Sequence, residues 1–327
     1  MDLDLVFLGT SASAPTAGRA PSAMLVRRGG ERLLFDCAEG TQRQLMRSSL
    51  GLPDLEEIFL THFHADHTLG LPGLLKTFAL RGREVPLTVY GPPGLRDLLA
   101  DLRRVFGRVS YPVEAVEVRP GQALERDGYR ILVFPVHHGV SAVGYALDEH
   151  DRPGEFDAAA ADALGIPFGP ERGALQRGES VTLGEDRVVT PAEVVGPPRS
   201  GRRIVLTGDT APVETVRVLA EGADVLVHEA TFGEDERERA RETLHSTARQ
   251  AAETAAAAGV RLLALTHFSP RHFGPELLEE AKAVFPGTVA PRDFDVIEVP
   301  FAERGEPRLV RRGARPPRSS DLPAPAA

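Results

Sequence analysis

A cluster of metal-ligand side chains at residues 61–70, THFHADHTLG, constrains this chain more than any other feature of its sequence. Three histidines and an aspartate fall within six positions, directly after the apolar run EEIFL, which predicts a buried strand. Imidazole and carboxylate groups are suitable zinc ligands, and open catalytic sites combine them. A lone histidine is more often a core or surface residue, but four ligand-type residues at this spacing favour a metal site. The site would use His62, His64, Asp66 and His67.

Short apolar runs and helical patterns alternate along the chain. The apolar runs predict strands at Leu3–Leu8, Met24–Arg27, Leu33–Asp36, Ile58–Leu60, Leu87–Tyr90, Ile131–Val136, Arg203–Leu206, Val225–His228, Leu262–Leu265 and Val296–Val299. The helical patterns predict helices at Gln42–Ser48, Leu71–Leu80, Leu95–Phe106, Val213–Ala220, Ser246–Ala258 and Pro275–Val284. This alternation predicts an α/β layered domain in which helices pack on sheets.

Three further ligand-type residues follow predicted strands. His138 follows RILVFPV, Asp209 follows RIVLTG and His267 follows RLLALT. Each has an ordinary alternative: Asp209 is also a candidate cap for the helix near Val213, and His267 is also a candidate buried, hydrogen-bonded histidine. Together they supply enough ligands for a second metal position.

Size and composition restrict the class of protein. A chain of 327 residues can bury a sizeable core, and its apolar runs are all shorter than the ~18 residues of a membrane span. The N-terminus MDLDLVFLGT lacks the pattern of a signal peptide, and the single cysteine excludes an internal disulfide framework, so we expect a cytoplasmic protein. The net charge of -9 argues against nucleic-acid binding by bulk attraction but not against a local arginine groove.

Two stretches interrupt the alternation. Residues 149–202 are rich in Gly, Pro and charge and poor in core residues, which predicts either a functional arm or a solvated insertion. Residues 311–327, RRGARPPRSSDLPAPAA, have the composition of a disordered tail. The arm holds six arginines and at least as many acidic residues, so its composition alone does not predict RNA binding.

Several motifs together resemble a known family. The run His62-Phe63-His64-Ala65-Asp66-His67 resembles the metallo-β-lactamase superfamily. More narrowly, residues 3 to 300 resemble ribonuclease Z, the tRNA 3′-end processing endonucleases. This narrower resemblance is carried by FLGTSASAPT, FDCAEGTQRQL, YGPPGL, HGVSAVGYAL, GIPFGP, TGDT, HEATF and HST.

The resemblance implies an α/β fold of the metallo-β-lactamase αβ/βα sandwich type. Residues 1–310 would form the nuclease domain, with 149–202 inserted as a protruding exosite arm and 311–327 as a disordered tail. One zinc would be held by His62, His64 and His138, the other by Asp66, His67 and His267, with Asp209 bridging them. In the family pattern, the spacing to the Gly-Tyr of HGVSAVGYAL favours His138 over His137. Alternation along a strand also places the two histidines on opposite faces.

The resemblance also implies roles in catalysis. Asp66 would orient the attacking hydroxide between the two zinc ions, and His245 would give a proton to the leaving ribose 3′-oxygen, with Glu229 orienting it. The alternative for His245 is a residue of the N-cap region before the Ala-rich helix. Thr41, Ser269 and Arg271 would contact the substrate. Ala38 stands where the family usually has Gly, which would be strained if the backbone there needs a positive φ.

The expected function is that of a zinc-dependent endoribonuclease that removes the 3′ trailer from precursor tRNA and leaves a 3′-hydroxyl on the tRNA. The family further implies a homodimer in the cytoplasm, and we expect no membrane association. Two alternatives stay open: a small-molecule phosphodiesterase or arylsulfatase-like metallohydrolase on the same fold, and a metal-stabilised binding protein without catalysis.

Overall fold

The computed structural model describes residues 1–48, 50–52, 55–184, 187–272 and 274–312. The strands are β1 (Leu3–Gly9), β2 (Ala23–Arg28), β3 (Glu31–Phe35), β4 (Glu57–Phe59), β5 (Leu87–Gly91), β6 (Val113–Glu117), β7 (Ala123–Arg126), β8 (Tyr129–Pro135), β9 (Val143–Glu149), β10 (Val181–Leu183), β11 (Arg187–Val189), β12 (Arg203–Leu206), β13 (Val225–Glu229), β14 (Leu262–Thr266), β15 (Thr288–Val289), β16 (Val296–Glu298) and β17 (Arg308–Val310). The helices are α1 (Thr41–Arg47), α2 (Ala65–Thr68), α3 (Leu71–Leu80), α4 (Leu95–Phe106), α5 (Ala158–Ala163), α6 (Pro170–Gln176), α7 (Glu214–Leu219), α8 (Arg237–Thr243), α9 (Ala248–Ala258) and α10 (Gly274–Lys282).

Two sheets pack face to face in the centre of the molecule. The first has the order β17-β16-β1-β2-β3-β4-β5-β6 and the second the order β15-β14-β13-β12-β9-β8-β7. In β1, Leu3, Leu5 and Phe7 pack between the sheets, while Val6 and Leu8 pack on the outer face. Alternate side chains of a strand point to opposite faces, so a strand covered on both sides needs apolar residues at nearly every position.

Helices cover the outer face of each sheet. Buried residues of α1, α3 and α4 pack on the first sheet, and those of α7, α9 and α10 pack on the second. The four layers form the predicted αβ/βα sandwich. Among the residues that the structure describes, no helix combines the length and apolar character of a membrane span.

The start of α9 is fixed by a reciprocal pair of side-chain hydrogen bonds. Gln250 N donates to the hydroxyl of Thr247 (3.2 Å), and Thr247 N donates to Oε1 of Gln250 (3.0 Å). This capping box satisfies backbone groups that have no partner inside the helix. The predicted helix at Ser246–Ala258 therefore begins two residues later, at Ala248.

The ten predicted strands and six predicted helices are all present, with ends shifted by two residues or fewer. Sequence patterns missed β9, a central strand, because Gly144 stands near its start and it ends in Asp148 and Glu149 rather than in an apolar run. They also missed the edge strands β6 and β7, which contain charged residues and have no fully buried position. Short helices such as α5 and α8 lack the length that a clear 3.6-residue period needs.

The arm at 149–202 is folded around a small core of its own. Its small core is formed by Ala161, Ile166, Leu175, Val189 and Val194. Two backbone segments form its stem and hydrogen-bond to each other between residues 149–157 and 194–202. The arm therefore has a fixed base and a packed outer part.

The base of the arm is anchored by a buried ion cluster. Arg202 is 2% exposed and donates from Nε to Glu149 Oε2 (2.7 Å), while Arg28 donates from Nε to Oε1 of the same carboxylate (2.8 Å). The ring of Phe301 lies between the guanidinium groups of Arg152 (3.4 Å) and Arg202 (4.0 Å). We call these five residues the arm anchor.

The predicted tail, 311–327, lies outside the described residues except for Arg311 and Arg312. The guanidinium of Arg311 donates to the carboxylate of Asp295, so this first residue of the stretch is attached to the domain.

Candidate metal centre

The predicted ligands meet at one edge of the two sheets, because each follows a strand that ends there. His62 and His64 follow β4, and Asp66 and His67 lie on the short helix α2. His138 follows β8, Asp209 follows β12 and His267 follows β14. The carboxyl ends of neighbouring parallel strands lie at one edge, which brings residues distant in sequence together.

The first predicted ligand group is assembled. His62, His64 and His138 offer ring nitrogens that all lie within 4.8 Å of one another. Nε2 of His62 is 3.0 Å and Nε2 of His138 is 3.2 Å from Nδ1 of His64. His62 is fully buried and His64 is exposed, so the site opens to solvent on the side of His64.

The second predicted group is assembled as well. Ligand atoms of Asp66, His67 and His267 lie within 4.8 Å of one another. Nε2 of His267 is 3.3 Å from Nε2 of His67 and 3.3 Å from Oδ2 of Asp66. The fold therefore brings together two groups of three ligands, as predicted.

Asp209 lies between these groups. Its Oδ2 is 3.3 Å from Nε2 of His67, 3.3 Å from Nε2 of His267 and 3.7 Å from Nε2 of His62. It does not cap α7, whose N-cap residue is Val213 and which has no side-chain cap. Gly208 before it has φ +62°, and a Cβ there would lie 2.8 Å from Thr61, so only glycine turns the chain here without strain.

The donor set fits divalent cations. Oδ1 of Asp209 is buried and has no hydrogen-bond partner among the described residues, which is costly for a carboxylate unless a cation neutralises it. The imidazole nitrogens also converge at distances near 3 Å, an arrangement favoured by a shared cation. Five histidines and two carboxylates suit zinc, with manganese and iron as chemically acceptable alternatives.

Hydrogen bonds behind the ligands fix which ring nitrogen faces inward. His67 Nδ1 donates to Asp36 Oδ2 (2.7 Å), His138 Nδ1 donates to the carbonyl of Leu244 (3.1 Å), and His267 Nδ1 donates to the hydroxyl of Thr231 (2.9 Å). In each case Nε2 is left for the metal.

Sequence reasoning assigned no role to Asp36 or Thr231. Both lie in motifs that carry the family resemblance, FDCAEGTQRQL and HEATF, but neither has a ligand spacing of its own. Asp36 is buried and also accepts hydrogen bonds from the backbone N–H (2.8 Å) and hydroxyl of Thr61. For Asp36, the available sequence signal was its position directly after the end of a strand.

Burial and neighbouring charges shift the pKa values of the carboxylates and histidines in this centre. Burial raises the pKa of Asp209 but is outweighed by the charges of His267 and His67, which hold it well below its usual range. Burial lowers the pKa of His67, yet Asp209 and Asp36 raise it well above the ordinary value. His62 has its pKa lowered by burial and by His67. These directions describe a site whose carboxylates strongly favour nearby positive charge.

A histidine–glutamate pair lies against the same centre. Nδ1 of His245 donates to Oε1 of the fully buried Glu229 (2.7 Å), and a ring nitrogen of His245 lies within 4.8 Å of ligand atoms of His138 and Asp209. Burial lowers the pKa of His245, but Glu229 outweighs it and the pKa rises to about 9. Because Thr247 caps α9, the alternative that His245 serves the helix start is not needed.

Backbone strain is concentrated around this centre. His267 (φ 58°), Asp36 (φ 56°), Leu244 (φ 56°) and Ser13 (φ 59°) all adopt the left-handed region that disfavours residues other than glycine. Ser13 N donates to Oδ2 of Asp66 (2.6 Å). Such strain persists where surrounding contacts determine the backbone, often at functional sites.

Other predicted residues occupy less direct positions. His137 is exposed, and its backbone pairs with Ala211, while His138 faces the ligands. Thr41 is buried and its hydroxyl donates to the carbonyl of Ala38 (2.7 Å). The φ of Ala38 is not positive, so the backbone has no strain from an alanine in place of glycine at this position.

Ser269 is buried and accepts a hydrogen bond from the backbone N–H of Arg271 (3.3 Å). The guanidinium of Arg271 is half exposed and pairs with Glu236 (3.4 Å). The structure therefore places Ser269 and Arg271 close to His267 in sequence but engaged with protein partners. Substrate contacts of Thr41, Ser269 and Arg271 stay predictions.

Two family models match the chain. One is described as the metallo-beta-lactamase superfamily and matches residues 16–151; the other is described as a beta-lactamase superfamily domain and matches residues 176–268. A relative named ribonuclease Z, from Halorubrum lacusprofundi, is 46% identical over 311 residues, covering 94% of this chain and 100% of the relative. The chain belongs to the ribonuclease Z family.

Further comparisons agree with this ribonuclease Z assignment. A protein of the same name from Haloferax volcanii is 47% identical over 308 residues, covering 93% of this chain and 97% of the relative. The crystal structure of human tRNase Z, short form, has a TM-score of 0.66 at 28% identity and covers 91% of this chain and 99% of that chain. The metallo-beta-lactamase fold protein YhfI from Bacillus subtilis has a TM-score of 0.67 at 20% identity, covers 91% and 100%, and supports the fold alone. The predicted family and fold are confirmed.

Proposed function

We propose that the chain is a metal-dependent endoribonuclease that removes the 3′ trailer from precursor tRNA and leaves a 3′-hydroxyl on the tRNA. The observation that carries this proposal is the assembly of two ligand groups and the His245–Glu229 pair in one open site of a member of the ribonuclease Z family. Residues 1–310 would act as one nuclease domain with the arm 149–202 inserted.

The proposed cofactor is zinc, two ions per subunit. His62, His64 and His138 would hold one ion, Asp66, His67 and His267 would hold the other, and Asp209 would contact both. When bound, such ions lower the pKa of a water ligand and neutralise charge on the phosphate. Metal analysis of the purified protein tests this: fewer than two ions per chain, or manganese or iron in place of zinc, would contradict it.

Asp66 is proposed to orient the attacking water. Its Oδ2 is held by Ser13 N (2.6 Å) and lies 3.3 Å from His267 Nε2. Burial raises the pKa of Asp66, but the hydrogen bond from His267 and the charges of His67 and His267 lower it well below its usual range. The carboxylate is therefore ionised at neutral pH and can accept a hydrogen bond from water.

His245 is proposed to protonate the leaving ribose 3′-oxygen. Its Nδ1 donates to Glu229, so the imidazolium keeps a second proton on Nε2 for transfer. Glu229 is itself fixed by Thr210 N (2.8 Å) and by the hydroxyl of Thr231 (2.5 Å), which holds the ring in position.

A substrate with sulfur in place of the leaving 3′-oxygen tests this role, because a thiolate leaves without protonation. We expect His245→Asn to slow cleavage of ordinary precursor tRNA by roughly 10²- to 10⁴-fold. The same variant should cut the sulfur substrate at nearly the wild-type rate. Equal losses on both substrates would exclude His245 as the proton donor.

The arm is proposed to bind the body of the tRNA. A chain lacking 155–196, with Gly154 joined to Pro197 through a short glycine linker, keeps Glu149 and Arg202 in place. A Cβ on Gly154 would lie 1.9 Å from the carbonyl oxygen of Gly196, so the two segments run close enough to be joined.

We expect the armless chain to lose cleavage of precursor tRNA but to hydrolyse bis(p-nitrophenyl) phosphate like the full chain. Retained tRNA cleavage would contradict the arm assignment. If the full chain hydrolysed only the small diester, a small-molecule phosphodiesterase would be the better description. If the full chain bound metal and hydrolysed neither substrate, a metal-stabilised binding protein would be the better description.

We further propose a cytoplasmic homodimer in which the arm of one subunit serves the site of the other. Val143, at the start of β9, bonds through its backbone to Thr61 beside the ligands, whereas Glu149 at the end of β9 begins the arm. Six residues of strand separate them by about 20 Å, so the arm leaves from the end of β9 that is distant from the ligands.

Mixing subunits tests this arrangement. A His62→Ala chain and an armless chain should each be inactive on precursor tRNA, and together they should regain part of the wild-type rate. No recovery, or a monomer by light scattering, would contradict the exchange of arms between subunits.

A further inference from the structure

A second charged site lies beside the metal centre. It is a cleft of about 550 Å³ between the loop 15–21, residues 39–47 and residues 292–294. The arginines that line it are Arg19, Arg43, Arg47 and Arg292, and the acidic residues that line it are Glu39 and Asp293. We call it the arginine cleft. Its four positive and two negative side chains give a local excess of positive charge in a chain of net charge -9.

Two walls of the arginine cleft are connected to metal ligands. The loop 15–21 starts two residues after Ser13, whose N–H donates to Asp66, and two residues span at most about 7 Å. The wall at 39–47 follows Asp36, which hydrogen-bonds to His67. The two protein segments that form these walls therefore begin next to the proposed reaction site.

The walls of the arginine cleft are joined by one half-buried carboxylate. Asp293 accepts hydrogen bonds from the hydroxyl of Thr10 (2.9 Å), from Ala20 N (2.7 Å) and from Nε2 of Gln44 (2.9 Å). These bonds connect all three walls. A ligand would find the cleft already formed, which lowers the entropic cost of binding.

Two of its arginines are free to bind an anion. Arg43 and Arg292 are exposed, and neither side chain forms an ion pair or hydrogen bond with another residue that the structure describes. Arg47 is exposed and stacks on Phe294 (5.3 Å). By contrast, arginines on α7 and α8 pair with Glu214 and Glu238 one turn away.

The chemistry of the cleft suits a phosphodiester strand. Guanidinium groups bind phosphate oxygens through paired N–H donors, and single-stranded nucleic acid is bound by positively charged grooves that follow its backbone. A small single anion would need fewer arginines and a smaller volume than the arginine cleft provides.

The positions of His245 and Ser13 assign a direction to this strand. His245 packs against both His138 and His267 (ring centroids 4.9 and 5.5 Å away), and it would protonate the oxygen that belongs to the tRNA. The cleft is instead reached past Asp66, through the backbone of Ser13. We infer that the arginine cleft binds the sugar-phosphate backbone of the 3′ trailer, the single-stranded RNA downstream of the cut. This inference rests on the proposed function.

Trailer length tests the inference. Precursor tRNAs with a one-nucleotide trailer and with a trailer of roughly ten nucleotides, within the range that single-strand binding folds cover, are compared as substrates. We expect Arg43→Gln combined with Arg47→Gln to raise KM for the long trailer on the order of tenfold and to change KM for the short trailer little. Arg292→Gln should act in the same direction. The salt dependence of binding to the long-trailer RNA should lose about one unit of slope per phosphate contact removed.

The matched control is Arg103→Gln combined with Arg104→Gln, which removes the same number of charges from the exposed face of helix α4. Thermal unfolding and metal content confirm that each variant is folded. An equal rise in KM for the long-trailer and short-trailer substrates would overturn the trailer assignment and place the tRNA body in the cleft. Effects no larger than those of the control would overturn RNA binding by the cleft.

A failure of the proposed function gives a different result. If the wild type cuts no precursor tRNA of either length, binding of a single-stranded oligoribonucleotide is measured by fluorescence anisotropy. Weaker binding by the Arg43 and Arg47 double variant than by the control would support the cleft as an RNA site without the nuclease. Equal binding by both variants would overturn it.

Discussion

Two buried carboxylates, Asp209 in the metal centre and Glu149 in the arm anchor, have contrasting surroundings. Glu149 accepts hydrogen bonds at both oxygens from Arg28 and Arg202. Asp209 is approached at Oδ2 by histidine nitrogens, and its Oδ1 is buried without a partner among the described residues. Both are ionised, because nearby positive groups hold the pKa of each below its usual range despite burial.

The difference separates a structural cluster from a binding site. In the arm anchor the chain itself supplies the neutralising charges, so the cluster is complete when the protein folds. In the candidate metal centre the charge and the unused oxygen of Asp209 would be satisfied by a bound cation. Substitutions in the first should change the free energy of unfolding, and substitutions in the second should change metal binding and activity.

The largest effect is expected for Asp209→Asn. The amide keeps the shape of the side chain but removes the charge, so we expect fewer metal ions per chain by metal analysis. Cleavage of precursor tRNA should fall more than about 100-fold, beyond the range typical of residues that only support a ligand. The variant should remain folded, because the amide avoids the cost of burying a carboxylate whose Oδ1 has no hydrogen-bond partner among the described residues. Unchanged metal content together with full activity would show that Asp209, like Glu149, is not part of a metal-binding site.

Next in size is Glu149→Gln, which leaves Arg202 buried without a counter-charge and leaves Arg28 paired with Glu31 alone. We expect the free energy of unfolding to fall by about 3–5 kcal/mol in chemical denaturation, with metal content unchanged. Glu214→Gln, at an exposed ion pair with Arg217, is the matched control and should change stability little. Equal denaturation midpoints for the two variants would show that the arm anchor does not stabilise the protein.

The pH dependence of this pair follows from the sign of the pKa shift. Burial raises the pKa of Glu149, but Arg202 and Arg28 outweigh it, so the folded-state pKa is lowered. Its stabilising contribution is therefore present above the unfolded-state pKa, about 4.3, and is lost as the pH falls below it. The difference in stability between wild type and Glu149→Gln should shrink between pH 6 and roughly pH 3.5. A constant difference would contradict this account.

A smaller effect on the metal side is expected for Asp36→Asn. Asp36 accepts the Nδ1–H of His67, so the amide weakens the orientation and basicity of that ligand. We expect metal affinity to fall about 10- to 100-fold in competition with a chelator. The folded state should survive, because Thr61 can still donate to the side chain. An unchanged metal affinity would show that Asp36 contributes to folding but not to metal binding.

The smallest effect is expected for Phe301→Leu in the arm anchor. The ring stacks between the guanidinium groups of Arg152 and Arg202, and its loss should cost about 1–2 kcal/mol of stability. Phe168→Leu is the matched control, since that ring is 95% exposed on the arm. Similar stabilities of both variants would show that the stacked guanidinium groups contribute nothing.

Sequence patterns predicted which ligand-type residues come together, because several of them follow apolar strands. His138, Asp209 and His267 are recognisable in this way, and the fold brings them to His62 and Asp66. The same reasoning passed over Asp36 and Thr231, whose importance lies in hydrogen bonds to ligands rather than in a spacing of their own. Partners in a folded structure have no signature in a single sequence.

The arm was harder to predict for a related reason. Its core residues, such as Ile166 and Leu175, are separated by Gly and Pro and show no period. The arm anchor joins Glu149 to Arg28 and Arg202, which are 121 and 53 positions away in sequence. Charged residues at such separations look like ordinary surface charge until the fold pairs them.

The paired stem of the arm also bears on how this chain tolerates change in length. Its two backbone segments leave and rejoin the domain side by side, with Arg152 N donating to Arg199 O (2.7 Å) and Arg199 N donating to Arg152 O (2.9 Å). Residues added or removed beyond the stem therefore leave the spacing of the strands in the catalytic sheets untouched. Insertions and deletions within 158–193 can change the outer part of the arm without moving the residues of the candidate metal centre.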